Sequence, residues 1–446
     1  MSSDSVMPRG GRSSATRVVL LMALSFGAGI LVQKYLEPWH WLRNIHEPSE
    51  SKPRADYSYR KPVDPRLIRA FGTPIEVYDS RAPYVYASGS EKSMGNGSRF
   101  LKYRYFAYYK QAEDYLRGSE ARDIARKEHD EFWRLGSGDP AEAAGAYTRQ
   151  LQYLKEALGV RDLPPRGRVI SRMNVAGPAD YTLDKLEIES RTDGITVPLY
   201  VATPNKLPAK AVVIAVHGHS SSPENVMGME EPDYTRSYGA ELAKHGYVVY
   251  APYVFNASHY NSNFGALGML YSGDTKFSLD IQKLMAVVDL VKADPKVSKL
   301  PLVLWGVSYG SRLSVYMTAI DQRIEAMVVN GGFLHHKDFL AENFSFGREN
   351  HAFVEDVLLN HALYQTFDSA DLARLIAPRP MLLELPAYDL DPFPETVVEI
   401  WKRIEELYKA ENAGASAKLI WFKGYHETAP AVTIPVLDTV VAELRR

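Results

Sequence analysis

Ser308, His426 and two aspartates, Asp389 and Asp391, are the residue types that nucleophilic acyl transfer needs. A serine hydroxyl is a poor nucleophile near neutral pH. It requires a base within hydrogen-bond reach, itself held by a third group. Ser308 is the centre of Gly306-Val307-Ser308-Tyr309-Gly310, a G-x-S-x-G pentapeptide. Residues 302–305 before it form an apolar run with the length and branching of a strand buried on both faces, and residues 311–320 after it are compatible with a helix. A turn that sharp needs Gly306 and Gly310 where strand and helix backbones crowd. It pushes Ser308 to the tip, above the first free N–H groups of the helix, where developing negative charge is favoured.

If the acid and the base follow Ser308 in that order, each on a loop beyond the carboxyl end of a parallel strand, the base is His426. It lies in Trp421-Phe422-Lys423-Gly424-Tyr425-His426-Glu427, just after the last expected strand, and is one of twelve histidines. His335, His336, His351 and His361 show neither metal-ligand spacing nor a carboxylate pattern. The acid belongs on Leu385-Pro386-Ala387-Tyr388-Asp389-Leu390-Asp391-Pro392, where Asp389 and Asp391 are both candidates. The oxyanion formed on attack needs two converging N–H groups. One is assigned to Tyr309, which follows the nucleophile. The other is assigned to His219 in His217-Gly218-His219-Ser220, with Ser220 as the alternative. The imidazole of His217 is expected to bond within its own loop. A zinc pair His217-x-His219 lacks a third ligand, so no metal and no cofactor is expected.

These residues must be carried by strands that alternate with helices, the mark of a wound α/β sheet. Strands are expected over 185–190, 196–202, 211–217, 248–253, 302–306, 326–330, 381–385 and 418–422. Helices are expected over 234–245, 278–293 and 394–410, and in the second of these Ile281, Leu284, Val288 and Val291 form a sheet-facing stripe. Upstream, residues 71–160 read as helical and rich in tyrosine. Asp139-Pro140-Ala141-Glu142 opens a helix with Tyr147, Leu151, Leu154 and Leu158 on one face. Residues 47–65 are polar and hold several prolines, as a linker does.

The first 46 residues read as a targeting segment. Arg9, Arg12 and Arg17 precede an apolar run over 18–32 that ends without the small residues of a cleavage site. This predicts an uncleaved membrane anchor with the bulk of the chain outside the cytoplasm, secretion after signal cleavage being the alternative. A chain of 446 residues, 46% of them hydrophobic, can bury one large core and a smaller unit. Net charge is −2, so nothing points to a nucleic-acid partner. With no cysteine, disulfides, thiol catalysis and thiolate metal sites are excluded.

From about Tyr147 to the end the sequence resembles the acetyl xylan esterase and dienelactone hydrolase branch of the α/β-hydrolases. The stretches that carry the resemblance are LQYLKEALGV, VVIAVHGHSSS, ELAKHGYVVYAP, GVSYGS, DLARLIAPRPMLLE and FKGYHE. The resemblance implies an α/β-hydrolase fold, an eight-stranded mostly parallel sheet flanked by helices, here with an N-terminal membrane anchor and a helical N-terminal extension. Together with the targeting segment and the helical region, which the resemblance does not cover, this divides the chain into 1–46 (cytoplasmic tip and signal-anchor helix), 47–165 (linker and tyrosine-rich helical extension) and 166–446 (catalytic domain). The Ile376–Pro380 run implies that the acid is Asp389. The chain departs from the branch at Ser311, which replaces a glycine, at Tyr253, which replaces an aspartate, and at Leu385-Pro386. The implied function is a serine esterase acting on a small-molecule or saccharide ester through Ser308, Asp389 and His426. A serine peptidase or an acyltransferase on the same fold, and a non-catalytic scaffold, are the alternatives.

Overall fold

The computed structural model describes residues 63–76, 140–206, 208–255, 275–332, 367, 369–389 and 394–446. All lie within the unit Tyr57–Arg446. Ten strands build one sheet: β1 (Ile75–Glu76), β2 (Val169–Val175), β3 (Tyr181–Glu189), β4 (Thr196–Pro204), β5 (Val212–Val216), β6 (Val248–Pro252), β7 (Leu302–Val307), β8 (Ala326–Asn330), β9 (Met381–Pro386) and β10 (Ala417–Lys423). Their spatial order is β1-β10-β9-β8-β7-β5-β6-β4-β3-β2. Every pairing from β1 to β6 along that order is parallel, and β4, β3 and β2 extend the other edge as antiparallel strands.

The central strands are legible in their composition. VVIAV of β5, LVLWGV of β7 and AMVVN of β8 are wholly buried because helices cover both faces of the parallel region. Nine helices are described: α1 (Pro65–Phe71), α2 (Pro140–Leu158), α3 (Pro223–Val226), α4 (Tyr238–Lys244), α5 (Lys276–Ala293), α6 (Tyr309–Ile320), α7 (Ser369–Ile376), α8 (Pro394–Ala410) and α9 (Pro430–Leu444). Helix α5 starts with a capping box, in which Thr275 and Ser278 each accept from the other's N–H. Its expected stripe, Ile281, Leu284, Val288 and Val291, is fully buried. On the opposite side of the sheet, α4 and α9 cover a second apolar layer around Val213, Ala215, Val303 and Trp305.

The chain passes from β5 to β6 on one side and then crosses to β7 on the other. The exits of β5 and β7 therefore form the point where the winding reverses. In open α/β sheets ligands bind in that crevice, beyond the carboxyl ends of the strands.

Several expectations need correction. Two strands beyond the expected eight are present, β1 and β2, and β3 begins at Tyr181 rather than 185. Pro65, expected to end a linker, opens α1, with the Asp64 carboxylate accepting from Arg66 N–H at 2.7 Å. The membrane anchor is withdrawn. Among the described residues no helix is long and apolar enough to cross a membrane, and residues 18–32 lie outside them. With it go the membrane partner and the placement outside the cytoplasm. Residues 77–139 of the expected helical, tyrosine-rich region, Asp139 among them, also lie outside the described residues.

The described upstream residues share the core of the sheet. Leu154 and Leu158 of α2 and Leu67 of α1 are buried in the same apolar cluster as β5 and β7. Tyr147 hydroxyl donates to Leu375 carbonyl at 3.3 Å, and Trp421 Nε1–H donates to Gly72 carbonyl at 3.1 Å.

Candidate active site

The turn between β7 and α6 puts Ser308 at φ 57°, ψ −121°, backbone that a non-glycine residue rarely adopts. It persists because its neighbours leave no other path. A Cβ on Gly306 would lie 2.1 Å from the Gly310 carbonyl oxygen, and one on Gly310 would lie 2.3 Å from that of Val216. The Ser308 N–H donates to Asn330 carbonyl at 2.7 Å, which ties the turn to the exit of β8.

His426 and Asp389 meet in the structure. The imidazole Nδ1–H donates to the Asp389 carboxylate, 3.0 Å from one oxygen and 3.1 Å from the other, with both side chains buried. That bond leaves Nε2 as the unprotonated nitrogen of the neutral ring. Asp389 reaches this position because its loop is zipped to the exit of β10. Ala387 and Tyr388 N–H groups donate to the carbonyls of Phe422 and Gly424 at 2.8 and 2.9 Å. Asp391, the other acid candidate, lies outside the described residues, as do His335, His336, His351 and His361.

The base loop and the serine turn flank the same two glycines. A Cβ on Gly331 would lie 2.5 Å from His426 Cε1, and one on Gly332 would lie 2.7 Å from the Ser308 carbonyl oxygen. Asn330 extends this link, because its side-chain amide donates to the Glu427 carbonyl at 2.7 Å, one residue beyond the imidazole.

The loop after β5 lies directly on the serine. A Cβ on Gly218 would lie 2.7 Å from Ser308 Cβ. The rings of His219 and Tyr309 are 5.2 Å apart, so the two residues assigned as oxyanion donors are neighbours. Tyr234 spans both loops, donating from its hydroxyl to the His219 carbonyl at 2.6 Å and packing its ring 5.7 Å from that of His426. His217 is buried with both ring nitrogens engaged. Nδ1–H donates to the Gly218 carbonyl at 2.9 Å, and Nε2 accepts from Val254 N–H at 3.2 Å. Burial pushes its pKa down to about 4, so the ring is a neutral brace, with neither nitrogen left for a metal.

Two buried carboxylates behind the site were not foreseen. Asp280 accepts from the Tyr309 hydroxyl at 2.8 Å and from Phe255 N–H at 2.9 and 3.1 Å, with Lys283 Nζ 3.5 Å away. Burial pushes Asp280 up and Lys283 down, and each charge offsets the other's burial. Glu384, on β9, accepts from Asn330, Ala429 and Thr433. A single charge inside the apolar run MLLELP was the only sequence signal for Glu384.

A buried, mostly parallel sheet with a serine at the strand–helix turn beside the winding reversal is the arrangement of the α/β-hydrolase fold. Residues 197–354 match the model of the dienelactone hydrolase family. The resemblance to the acetyl xylan esterase and dienelactone hydrolase branch therefore holds. No curated protein matches the sequence. Among solved structures, a putative acetyl xylan esterase from Bacteroides fragilis is 14% identical, covers 68% of this chain and 89% of its own, and superposes with a TM-score of 0.54. A glucuronoyl esterase from Solibacter usitatus is 15% identical, covers 69% and 96%, and has a TM-score of 0.51. At that identity the likeness establishes the shared fold. Fold and family match together support a hydrolase of the ester-cleaving kind in general terms.

Proposed function

We propose that this chain is a serine hydrolase that cleaves carboxylic esters through Ser308, His426 and Asp389. The observation that carries the reading is the buried Asp389–His426 pair, whose ring abuts the glycine turn that also contacts Ser308. In this reading Ser308 Oγ attacks the ester carbonyl carbon while its proton passes to His426 Nε2. Asp389 stabilises the imidazolium and keeps the ring in its tautomer. The N–H groups of Tyr309 and His219 donate to the developing oxyanion at the start of α6. Collapse of the intermediate expels the alcohol, protonated by His426, and leaves an acyl-enzyme. Water, activated by the same imidazole, releases the acid. Two proteins of the same fold are described as acetyl xylan and glucuronoyl esterases. Esters on saccharides are accordingly the substrate class to try first.

The test is hydrolysis of an activated acetate ester by wild type and Ser308→Ala. The substitution removes one hydroxyl from a turn whose shape is set by glycines and backbone bonds, so folding is expected to persist and turnover to vanish. Turnover near that of wild type would assign the nucleophile elsewhere.

A further inference from the structure

Glu384 is a wholly buried carboxylate on the strand that leads to Asp389, and the proposed reaction gives it no task. Its partners are donors from two other elements. One oxygen accepts from Ala429 N–H at 3.1 Å and from the Thr433 hydroxyl, both at the start of α9 directly after the His426 loop. The other accepts from the Asn330 side-chain amide at 3.1 Å. The same amide nitrogen donates to the Glu427 carbonyl, so both of its protons are committed to acceptors. Asn330 Oδ1 accordingly has no hydrogen-bond partner among the described residues. Two acceptors, and not local chain geometry, fix which way the amide faces. The backbone of Asn330 meanwhile receives the Ser308 N–H.

We propose that Glu384 is a positioning residue for His426: its anion orients Asn330 and holds the start of α9, and so fixes the loop between them that carries the imidazole. The role rests on the reading of His426 as the base. Adding a proton reverses the pattern. A protonated carboxyl presents a donor either to the Asn330 amide, which must then flip away from Glu427, or to Thr433, whose hydroxyl must then turn elsewhere. Burial pushes Glu384 up to about 7, against the opposing hydrogen bonds from Thr433, Ala429 and Asn330, so the reversal falls in an accessible range. The other titratable groups around the network are Asp389 at the strand's exit, His426 and Glu427 on the loop, Arg236 paired with Glu427, and Tyr238 on α4, whose hydroxyl is raised by burial and by the Glu384 charge.

The experiment is a pH titration of the His426 Cε1–H resonance by NMR in the full chain, identified by its loss in His426→Gln, beside kcat and KM for an activated ester. Wild type is expected to show two inflections, one from the imidazole and one near pH 7 from Glu384. Glu384→Gln, which fixes a donor in place of one oxygen, should remove the second. It should also lower kcat by about a hundredfold, the effect of displacing a reacting group by around an ångström, with KM little changed. Thr433→Val deletes one donor to the anion and should move the second inflection up by about one pH unit, and it carries the test if Glu384→Gln does not fold. A single wild-type inflection, or one that neither variant moves, would overturn the proposal. Two inflections in a protein that hydrolyses no ester would retire the serine-hydrolase reading while sustaining the positioning of His426.

Discussion

At the residue scale the candidate site is a set of side chains that arrive from distant points in the chain. Asp389 and His426 are 37 residues apart yet share two close oxygen–nitrogen contacts. Asp389→Asn should lower kcat by about a thousandfold or more, because the amide no longer enforces the productive tautomer. Asp391→Asn should cost less than about tenfold, as suits a residue outside the triad. Steady-state kinetics on the two variants decide between them, and the reverse order would move the acid to Asp391. Ser308 could be singled out because its glycines are local, and His426 because it follows the last strand; position after a strand left Asp389 and Asp391 both open, and only the family resemblance pointed to Asp389. Glu384 and Asp280 were not legible, since among the described residues that bond them Lys283 alone is close in sequence and the others lie on separate segments, as far as 54 and 29 residues away.

At the element scale the sheet was readable where both faces are buried, because continuous Val, Ile and Leu runs report burial directly. It was not readable at its rims. β2 is exposed along most of its length and shows no apolar alternation, and β1 is two residues long. Its pairing with β10 depends on a chain segment hundreds of residues away. The crowding between β7 and α6 yields a prediction. Gly306→Ala or Gly310→Ala should destabilise the fold by about 1–3 kcal/mol, as overpacking does, measured by urea denaturation. A neutral result would mean that the turn relaxes. Asp289 on α5 accepts from Arg191 at 2.7 Å and from Arg323 at 2.6 Å, which fastens the segment after β3 to the helix. Asp289→Ala should cost about 3–5 kcal/mol, since it leaves Arg191 buried without its counter-charge. Burial raises the Asp289 pKa, but the hydrogen bonds from Arg191, Arg323 and Arg166 N–H outweigh it and the net shift is downward. Its contribution should therefore be present above pH 3.8 and lost as pH falls through the lower folded value.

At the scale of the whole molecule, two buried groups oppose each other in the dependence of stability on pH. Glu384 is raised to about 7 from 4.5, so its contribution is present below 4.5 and is lost as pH rises through about 7. His217 is lowered to about 4 from 6.5, so its contribution is present above 6.5 and is lost as pH falls through about 4. Between pH 4.5 and 6.5 the two slopes have opposite sign. Glu384→Gln should expose the His217 slope, with urea midpoints that climb over this window more steeply than those of wild type. Parallel curves would show that one of these groups does not titrate as its burial implies. The most direct measurement on the whole protein is covalent. Treated with a fluorophosphonate, digested and mapped by mass spectrometry, wild type should carry a single adduct on Ser308, and His426→Ala should label far more slowly. An unlabelled protein, or an adduct on any other residue, would contradict the assignment of Ser308 as the nucleophile of a serine hydrolase.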